Sequence, residues 1–303
     1  MVHMKYTLNS LLFVLCISNI HAAPLSDELV VLHSATTNQM NAIASPLEGS
    51  LIFNTDENEV YEHNATAWRR ISSDGSETKI VGGNCMDVTG MGTSLNPYAI
   101  NFIIPGKTQA SAGATCKQMI DTGCATTDGT YWIDPNGGST ADAFQVHCNM
   151  TADGGGWTLV FRHDVSGGFF ANDAESDSFN ESSPGLTTKK YSILNKIDSI
   201  KSATPYEFRL YYPNENSRNH WKQTFNPRSG PSSIRPVAGY TAIAIDSTGS
   251  YWGGLERSTS SRTFLDGSVN HGNWWYAIGT HNQYGSGMPG PSVVVDIVEL
   301  YIR

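Results

Sequence analysis

Short hydrophobic runs, separated by polar and glycine-rich stretches, dominate the chain and predict mainly β structure. In "YEFRLYYP" (206–213), Phe208, Leu210 and Tyr212 occupy alternate positions, as in a strand with one buried face. Further strands are predicted for the runs "TYWIDP", "DAFQVHC", "GGGWTLVFRH", "YTAIAID" and "SVVVDIVELYIR".

Two segments after Cys116 favour helix. "CKQMIDTGC" predicts a helical turn, and "YSILNKIDSI" (191–200) spaces Ile193, Leu194, Ile197 and Ile200 as one face of an amphipathic helix. Together with the strands they predict an α+β domain at 116–303. Its long polar loops are where binding residues most often lie.

The segment before this domain has a different pattern. Residues 26–75 contain "SLIFNTDENEVYEHNATAWRRI", which predicts three short strands joined by turns, a small β-meander. Residues 76–115 are rich in Gly, Ser, Thr and Asn and are predicted to form a linker with one or two strands.

Residues 1–23 have the layout of a secretory signal peptide. Lys5 precedes an apolar run from Leu8 to Ile17, and small residues follow at Ala22 and Ala23. The alternative is a retained hydrophobic anchor. No later segment contains the roughly 20 apolar residues that a membrane span requires. The predicted location is therefore secreted, periplasmic or at the cell surface.

Composition limits the classes of partner and indicates the redox state of the cysteines. The formal net charge is −9 and the basic residues are scattered, which argues against nucleic acid as a partner. Removal of the signal leaves Cys85, Cys116, Cys124 and Cys148. In an oxidising compartment they predict two disulfides, with three possible pairings; a zinc site is the alternative, without ligand spacing to support it.

The N-terminal segment resembles a module of phage tail-fibre and bacterial surface proteins. "TTNQMNAIASPLEGSLIFNTDENEVYEHNATAW" (36–68) follows that module's pattern. The resemblance implies a non-catalytic β unit, often placed near oligomeric stalks, and so a homo-oligomer such as a trimer.

The following segment resembles the fibrinogen-like C-terminal domain. "CKQMIDTG", "DGTYWIDPNGG" and "FQVHCNMTADGGGWTLVFRH" occur in the order of that family. The resemblance implies a mixed, mainly antiparallel sheet with few short helices and long loops. It also implies a Cys116–Cys148 disulfide, which leaves Cys85 to pair with Cys124.

The C-terminal half shares less with that family. "GNWWYAIG" (272–279) is similar to its "GAWWY" stretch, but the flanking cysteines and the "DxD" calcium loop are absent. "SDSFNESSPGLTTKKYSIL" and "DIVELYIR" are more similar to intelectins, fibrinogen-related lectins that bind sugar diols through calcium. The intelectin cysteines are also missing here.

A calcium loop is implied by a third resemblance. "YWIDPNGGSTADAFQVHCNM" (131–150) resembles the C-propeptide of fibrillar collagens, a related fold. The calcium ligands carried over from that family, by side chain or backbone carbonyl, are Asp134, Asn136, Gly137, Ser139 and Asp142. Oxygen ligands of these kinds suit calcium. A solvated polar turn is the alternative, because turns use the same residue types. Ser139 replaces the collagen cysteine, which excludes an interchain disulfide there.

A second acidic segment, "NDAESDS", contains Asp173, Glu175 and Asp177. It is predicted either to join a calcium cluster with His163 and Asp164 or to form a solvated acidic loop.

Aromatic and polar residues between 268 and 287 are candidates for a sugar site. Sugars stack their C–H faces on aromatic rings and pair their hydroxyls with polar groups. The predicted ligand-binding residues are His271, Asn273, Trp274, Tyr276, His281 and Tyr284. The alternative is a mainly structural segment.

Enzyme motifs such as GxSxG, HExxH and Walker A are missing from the sequence, so catalysis is not predicted. The leading hypothesis is a secreted, calcium-binding lectin that recognises glycans or surface glycoconjugates. The alternative is a surface or appendage assembly subunit, or an adhesin, without lectin activity.

Overall fold

The computed structural model describes residues 32–71, 80, 82–83, 85–92 and 95–303. The chain divides into two compact units. One comprises Met1–Ile80 with Gly90–Tyr98, and the other comprises Val81–Thr89 with Ala99–Arg303. The predicted signal peptide lies outside the described residues. The described residues include no helix that meets the length and hydrophobicity of a membrane span.

The first unit is a four-stranded sheet with one short helix. Its strands are β1 (His33–Ala35), β2 (Leu51–Asn54), β3 (Glu59–His63) and β4 (Trp68–Arg70), in that spatial order, and its helix is α1 (Thr37–Asn41). The three predicted strands are thus confirmed, whereas β1, parallel to β2, and α1 were not predicted.

Helix α1 begins at a capping box and covers a small core. The Thr36 side chain accepts a hydrogen bond from the Gln39 backbone, and the Gln39 side chain accepts one from the Thr36 backbone. Met40 and Ile52 are buried between the helix and the sheet, with Trp68 packed against them.

Two strands lie within the predicted linker. They are β5 (Met86–Thr89) and β6 (Ala99–Phe102), which pair as an antiparallel hairpin. The second unit therefore starts before Cys116, the predicted domain boundary.

The rest of the second unit is mainly antiparallel β structure, as predicted. The remaining strands are β7 (Gly129–Ile133), β8 (Phe144–Asn149), β9 (Trp157–Asp164), β10 (Ser178–Phe179), β11 (Lys190–Ile193), β12 (Tyr206–Tyr212), β13 (Ser217–Gln223), β14 (Thr241–Ile245), β15 (Trp252–Arg257), β16 (Thr263–Ser268), β17 (Ile278–Thr280), β18 (Met288–Pro289), β19 (Val294–Val295) and β20 (Ile297–Ile302). The central sheet has nine strands, in the order β10-β11-β9-β20-β12-β13-β14, with β8 also pairing with β9 and β7 with β8.

Smaller ladders and short helices complete this unit. The ladders are β15-β16-β17 and β18-β19. The helices are α2 (Cys116–Asp121), α3 (Asp173–Asp177) and α4 (Ile197–Ile200).

The predicted amphipathic helix at 191–200 is wrong over its first half. Residues 190–193 form β11, a 3-10 turn follows at Leu194–Lys196, and only Ile197–Ile200 is α-helical. Its four predicted apolar residues are all fully buried. The helical spacing therefore indicated burial correctly. The secondary structure differs because β11 pairs with β9, so its backbone hydrogen bonds are made in a strand.

The core of this unit lies around the central sheet and includes Trp157, Phe208 and Trp221, all fully buried. Both expected disulfides are present, Cys116–Cys148 and Cys85–Cys124. The first joins α2 to β8, and the second ties the start of the hairpin to the residues after α2.

Candidate functional site

The predicted calcium loop connects β7 to β8. Asp134 directly follows β7 and is buried, with 5% of its surface exposed. Its backbone N–H donates to the Gly113 carbonyl at 2.8 Å. One carboxylate oxygen, Oδ1, is buried without a hydrogen-bond partner. Because buried carboxylate oxygens are normally paired, this atom requires an explanation.

The remaining predicted ligands surround a surface depression. Gly137 and Gly138 have φ values of 66° and 87°, a region that glycine adopts without strain. Asn136 Nδ2 donates to Asp142 Oδ2 at 2.8 Å across the loop. The depression has a volume of about 420 Å³ and is lined by Asn136, Gly137, Ser139, Ala141 and Asp142.

These donor groups fit calcium. Two carboxylates, one amide oxygen and backbone carbonyls are ligands that calcium accepts at flexible geometry. The unpaired Oδ1 of Asp134 is consistent with a cation at this end of the loop. The part of the chain that is described contains no cluster of three or more His, Cys, Asp and Glu side chains able to hold a metal. A site here therefore depends on amide and carbonyl oxygens as well as on the two carboxylates.

The second acidic segment is neither a solvated loop nor a free set of metal ligands. It forms α3, in which Asp177 accepts two hydrogen bonds from Arg228, both at 2.7 Å. Asp173 pairs with Arg257. The sequence did not reveal these pairs because both arginines lie more than fifty residues away along the chain.

His271 belongs to a stack of three side chains on the surface. Its ring lies 3.7 Å from the Tyr251 ring, nearly parallel at 14°, and the Arg235 guanidinium lies 4.3 Å from the centre of the Tyr251 ring. Tyr251 is 42% exposed and has a φ of 66°, an uncommon conformation for a bulky residue. Sequence reasoning missed Tyr251 and Arg235, which lie outside the segment 268–287.

Trp274 and Tyr284 form a second aromatic surface. Their ring centres lie 5.6 Å apart in an edge-to-face arrangement, and Trp275 also meets Tyr284 edge-on at 6.1 Å. Tyr284 is 41% exposed, Trp274 is half-buried, and Asn273 is exposed nearby in sequence.

Two other predicted sugar contacts are placed elsewhere. Tyr276 is fully buried, and its hydroxyl donates to the Gly249 carbonyl, so this residue packs in the core. His281 points toward α3, where its Nε2 lies 3.2 Å from Ser176 Oγ and 3.3 Å from Asp173 Oδ1. The structure thus divides the predicted cluster into two surface groups and two internally bonded residues.

Two buried carboxylates, Glu256 and Asp266, were also not predicted from the sequence. They are cross-strand partners on β15 and β16, 3% and 4% exposed. Glu256 accepts hydrogen bonds from the backbone N–H groups of Ser232 and Asn270, whereas Asp266 Oδ1 has no partner. Burial, reinforced by the Glu256 charge, raises the pKa of Asp266 to about 7. Burial also raises the pKa of Glu256.

Two family models match the chain. The model for the fibrillar collagen C-terminal domain matches residues 85–166. The model for a phage tail like trimerisation region matches residues 15–84.

Among curated proteins, the chain is similar to fibrinogen C domain-containing protein 1-A of Xenopus laevis and to fibrinogen C domain-containing protein 1 of Macaca fascicularis. Each is 30% identical over 165 residues, which cover 49% of this chain and 34% and 36% of the respective relatives. The chain thus spans about a third of the length of these relatives.

Among solved structures, the chain is similar to the fibrinogen-like globe domains of human ANGPTL6 and human ANGPTL2. The TM-scores are 0.43 and 0.39, with 17% and 21% sequence identity. Each match covers 63% of this chain, with 96% and 98% of the respective structure.

The second unit is a disulfide-bonded, mainly antiparallel β domain with polar and aromatic groups on its loops. Its sequence similarity to fibrinogen C domain-containing proteins supports the presence of a fibrinogen-related domain in this unit.

Proposed function

We propose that this chain is an exported, calcium-binding recognition protein whose fibrinogen-related domain binds carbohydrate. The observation that carries the proposal is the pair of exposed aromatic surfaces on the loops of that domain. Tyr251 with His271 forms one surface, and Trp274 with Tyr284 forms the other. Exposed rings beside amide and guanidinium groups suit a sugar, which presents apolar C–H faces and hydroxyls together.

In this proposal calcium is a structural ion of the β7–β8 loop. Asp134, Asn136 and Asp142 would supply side-chain oxygens, and Gly137 and Ser139 would supply backbone carbonyls. The ion would offset the negative charge of two carboxylates that have no cationic partner among the described ion pairs. Asp134 is buried at the end of β7, so the ion would hold the loop to the sheet, at a place separate in sequence from the aromatic surfaces.

The first unit contributes oligomerisation in this proposal. The trimerisation-region match covers residues 15–84 and supports a homotrimer. Three linked domains would bind a surface that displays repeated glycans more tightly than one domain alone, because later contacts form at a high effective concentration. Neither aromatic surface requires catalytic chemistry, and the proposal assigns none.

A glycan array tests the proposal directly. The mature protein is applied in calcium buffer and in buffer with a chelator, together with Tyr284→Ala and Tyr251→Ala. Each variant is a matched control for the other, because both remove an exposed tyrosine ring from a different surface. Loss of a glycan signal in one variant identifies the surface that binds sugar. Absence of any retained glycan in either buffer contradicts the lectin proposal.

The second candidate is an assembly subunit without lectin activity. The match of residues 15–84 to a phage tail like trimerisation region favours it. Light scattering that shows an obligate trimer, together with an empty glycan array, supports this alternative.

A further inference from the structure

The hairpin of β5 and β6 has one face that is entirely apolar. Paired residues of an antiparallel ladder point to the same side, and successive pairs alternate between sides. Met86 pairs with Phe102 and Val88 with Ile100, so these four side chains share one face. The other face holds the intervening pairs, Asp87 with Asn101 and Thr89 with Ala99.

This apolar face is open to solvent in the single chain. Phe102 is 79% exposed, Ile100 is 51% exposed and Met86 is 39% exposed, while Val88 is half-buried. An isolated two-stranded hairpin is marginally stable in water, and exposed apolar patches usually mark an interaction surface. The hairpin is therefore expected to have a partner on this face.

The base of the hairpin is firmly attached to the fibrinogen-related domain. Cys85 immediately precedes β5 and is disulfide-bonded to Cys124. Directly after β6, the Ile103 N–H donates to the Cys85 carbonyl at 2.9 Å. The hairpin is thus fixed at its base while its apolar face is open.

The chemistry of the face limits the partner. Asp87 is the one charged residue between Cys85 and Ile104, and it lies on the opposite face. Sugars and charged surfaces would lose solvent from their polar groups here without gaining hydrogen bonds. The same apolar face of another chain would bury side chains of matching character, and identical chains can repeat this contact by rotational symmetry.

The position of the hairpin in the sequence indicates that its partner is another copy of this chain. The trimerisation-region match ends at residue 84, and β5 begins at Met86. We infer that the apolar hairpin face packs against the same face of the hairpins of the other copies and continues the trimer contact into the fibrinogen-related domain. This inference rests on the trimer proposed above.

The test uses the full mature chain with its disulfides formed. Ile100→Lys places a charge on the apolar face, and Asn101→Lys places the same charge on the polar face of the same strand. Light scattering over a dilution series measures the concentration at which the trimer dissociates. We expect Ile100→Lys to raise this dissociation concentration at least about tenfold, and Asn101→Lys to leave it near the wild-type value.

The outcomes separate the two levels of the proposal. A wild-type trimer that neither substitution weakens overturns the hairpin interface and leaves the proposed trimer standing. A wild-type protein that is monomeric at every concentration overturns both.

A photocrosslinker keeps the test decisive if Ile100→Lys does not fold. A benzophenone side chain at position 100 should give products of two and three chain masses, whereas at position 101 it should give none. Crosslinks at position 100 confined to a single chain would show that the hairpin is covered by its own chain, and would overturn the inference.

Discussion

Arg209 Nε donates a hydrogen bond of 2.7 Å to Asp153 Oδ2, joining the middle of β12 to the turn before β9. Asp153 also accepts from Arg218 Nε on β13, at 2.9 Å and 3.0 Å. Arg209 is 6% exposed, so the Asp153 carboxylate provides the counter-charge for its buried guanidinium. Burial would raise the pKa of Asp153, but the hydrogen bonds from the two arginines outweigh it and hold the pKa below its usual value.

Asp153→Asn should therefore destabilise the domain by about 3 kcal/mol, because it leaves the buried Arg209 without a counter-charge. Asparagine also tolerates the left-handed backbone at this position, where φ is 46°, so the substitution tests the charge alone. Urea unfolding at neutral pH measures the change. The control is Asp121→Asn, which breaks a more exposed pair with Lys117 and should cost less than about 1 kcal/mol. Equal effects in the two variants would contradict a structural role for the Asp153 cluster.

His163 should make the domain sensitive to acid. Its ring is fully buried among Phe161, Phe169 and Phe170, and burial lowers its pKa to about 4. Below the unfolded pKa of about 6.5, the unfolded chain binds a proton that the folded state does not. Stability should thus fall by about 3 kcal/mol as the pH drops from 6.5 to 4.

His163→Gln should flatten that part of the pH profile, since glutamine keeps an N–H donor for the Gly168 carbonyl but does not titrate. Urea unfolding at several pH values between 4 and 7 provides the measurement, and His33→Gln, at an exposed position of strand β1, provides the control. The interpretation would fail if the wild type and His163→Gln lost stability in parallel over this range.

Asp266 should change the stability with pH in the direction opposite to His163. Its pKa is raised to about 7 in the folded state, so the folded protein retains a proton that the unfolded chain releases above a pH of about 4. This residue should therefore cost stability as the pH rises from 4 to 7, by roughly 4 kcal/mol in total. Asp266→Asn removes the charge with little change of shape and should unfold at higher urea than wild type at pH 8.

At pH 4 most of the advantage of Asp266→Asn should disappear, because the wild-type carboxyl is then protonated in the folded state and about half protonated in the unfolded chain. A gain in stability that is the same at pH 4 and pH 8 would show that ionisation of Asp266 is not its cause. Glu256 lies beside it and accepts two backbone hydrogen bonds, so Glu256→Gln is a separate measurement and not a control.

The sequence predicted those parts of the fold that depend on neighbouring residues. The alternation in β12 and the apolar runs of β9 and β20 indicated strands because their side chains meet one core. The prediction was wrong at 191–200, because a helix and a strand followed by a turn would both bury the same four residues. Local spacing could not distinguish them, because the pairing of β11 with β9 decides between them.

The candidate surfaces were less predictable, for a related reason. His271 and Tyr251 stack although twenty residues separate them, and Asp266 meets Glu256 only because β15 pairs with β16. Tyr276 and Trp274 are two positions apart in one aromatic segment, yet the first is in the core and the second borders solvent. Residue type suggested sugar contacts for both, but only the path of the chain decides which ring is accessible.

Calcium should stabilise the domain through the β7–β8 loop. Thermal unfolding with millimolar calcium should show a higher Tm than unfolding with chelator, because an ion that binds only the folded state stabilises it by mass action. Asp142→Ala should abolish this difference, and Asp134→Asn should reduce it by removing one charge next to the ion. Asp121→Ala, which changes an exposed carboxylate on α2, should retain the full calcium effect. If millimolar calcium leaves the Tm of the wild-type protein unchanged, the loop is a polar turn, and the partnerless Oδ1 of Asp134 needs another explanation.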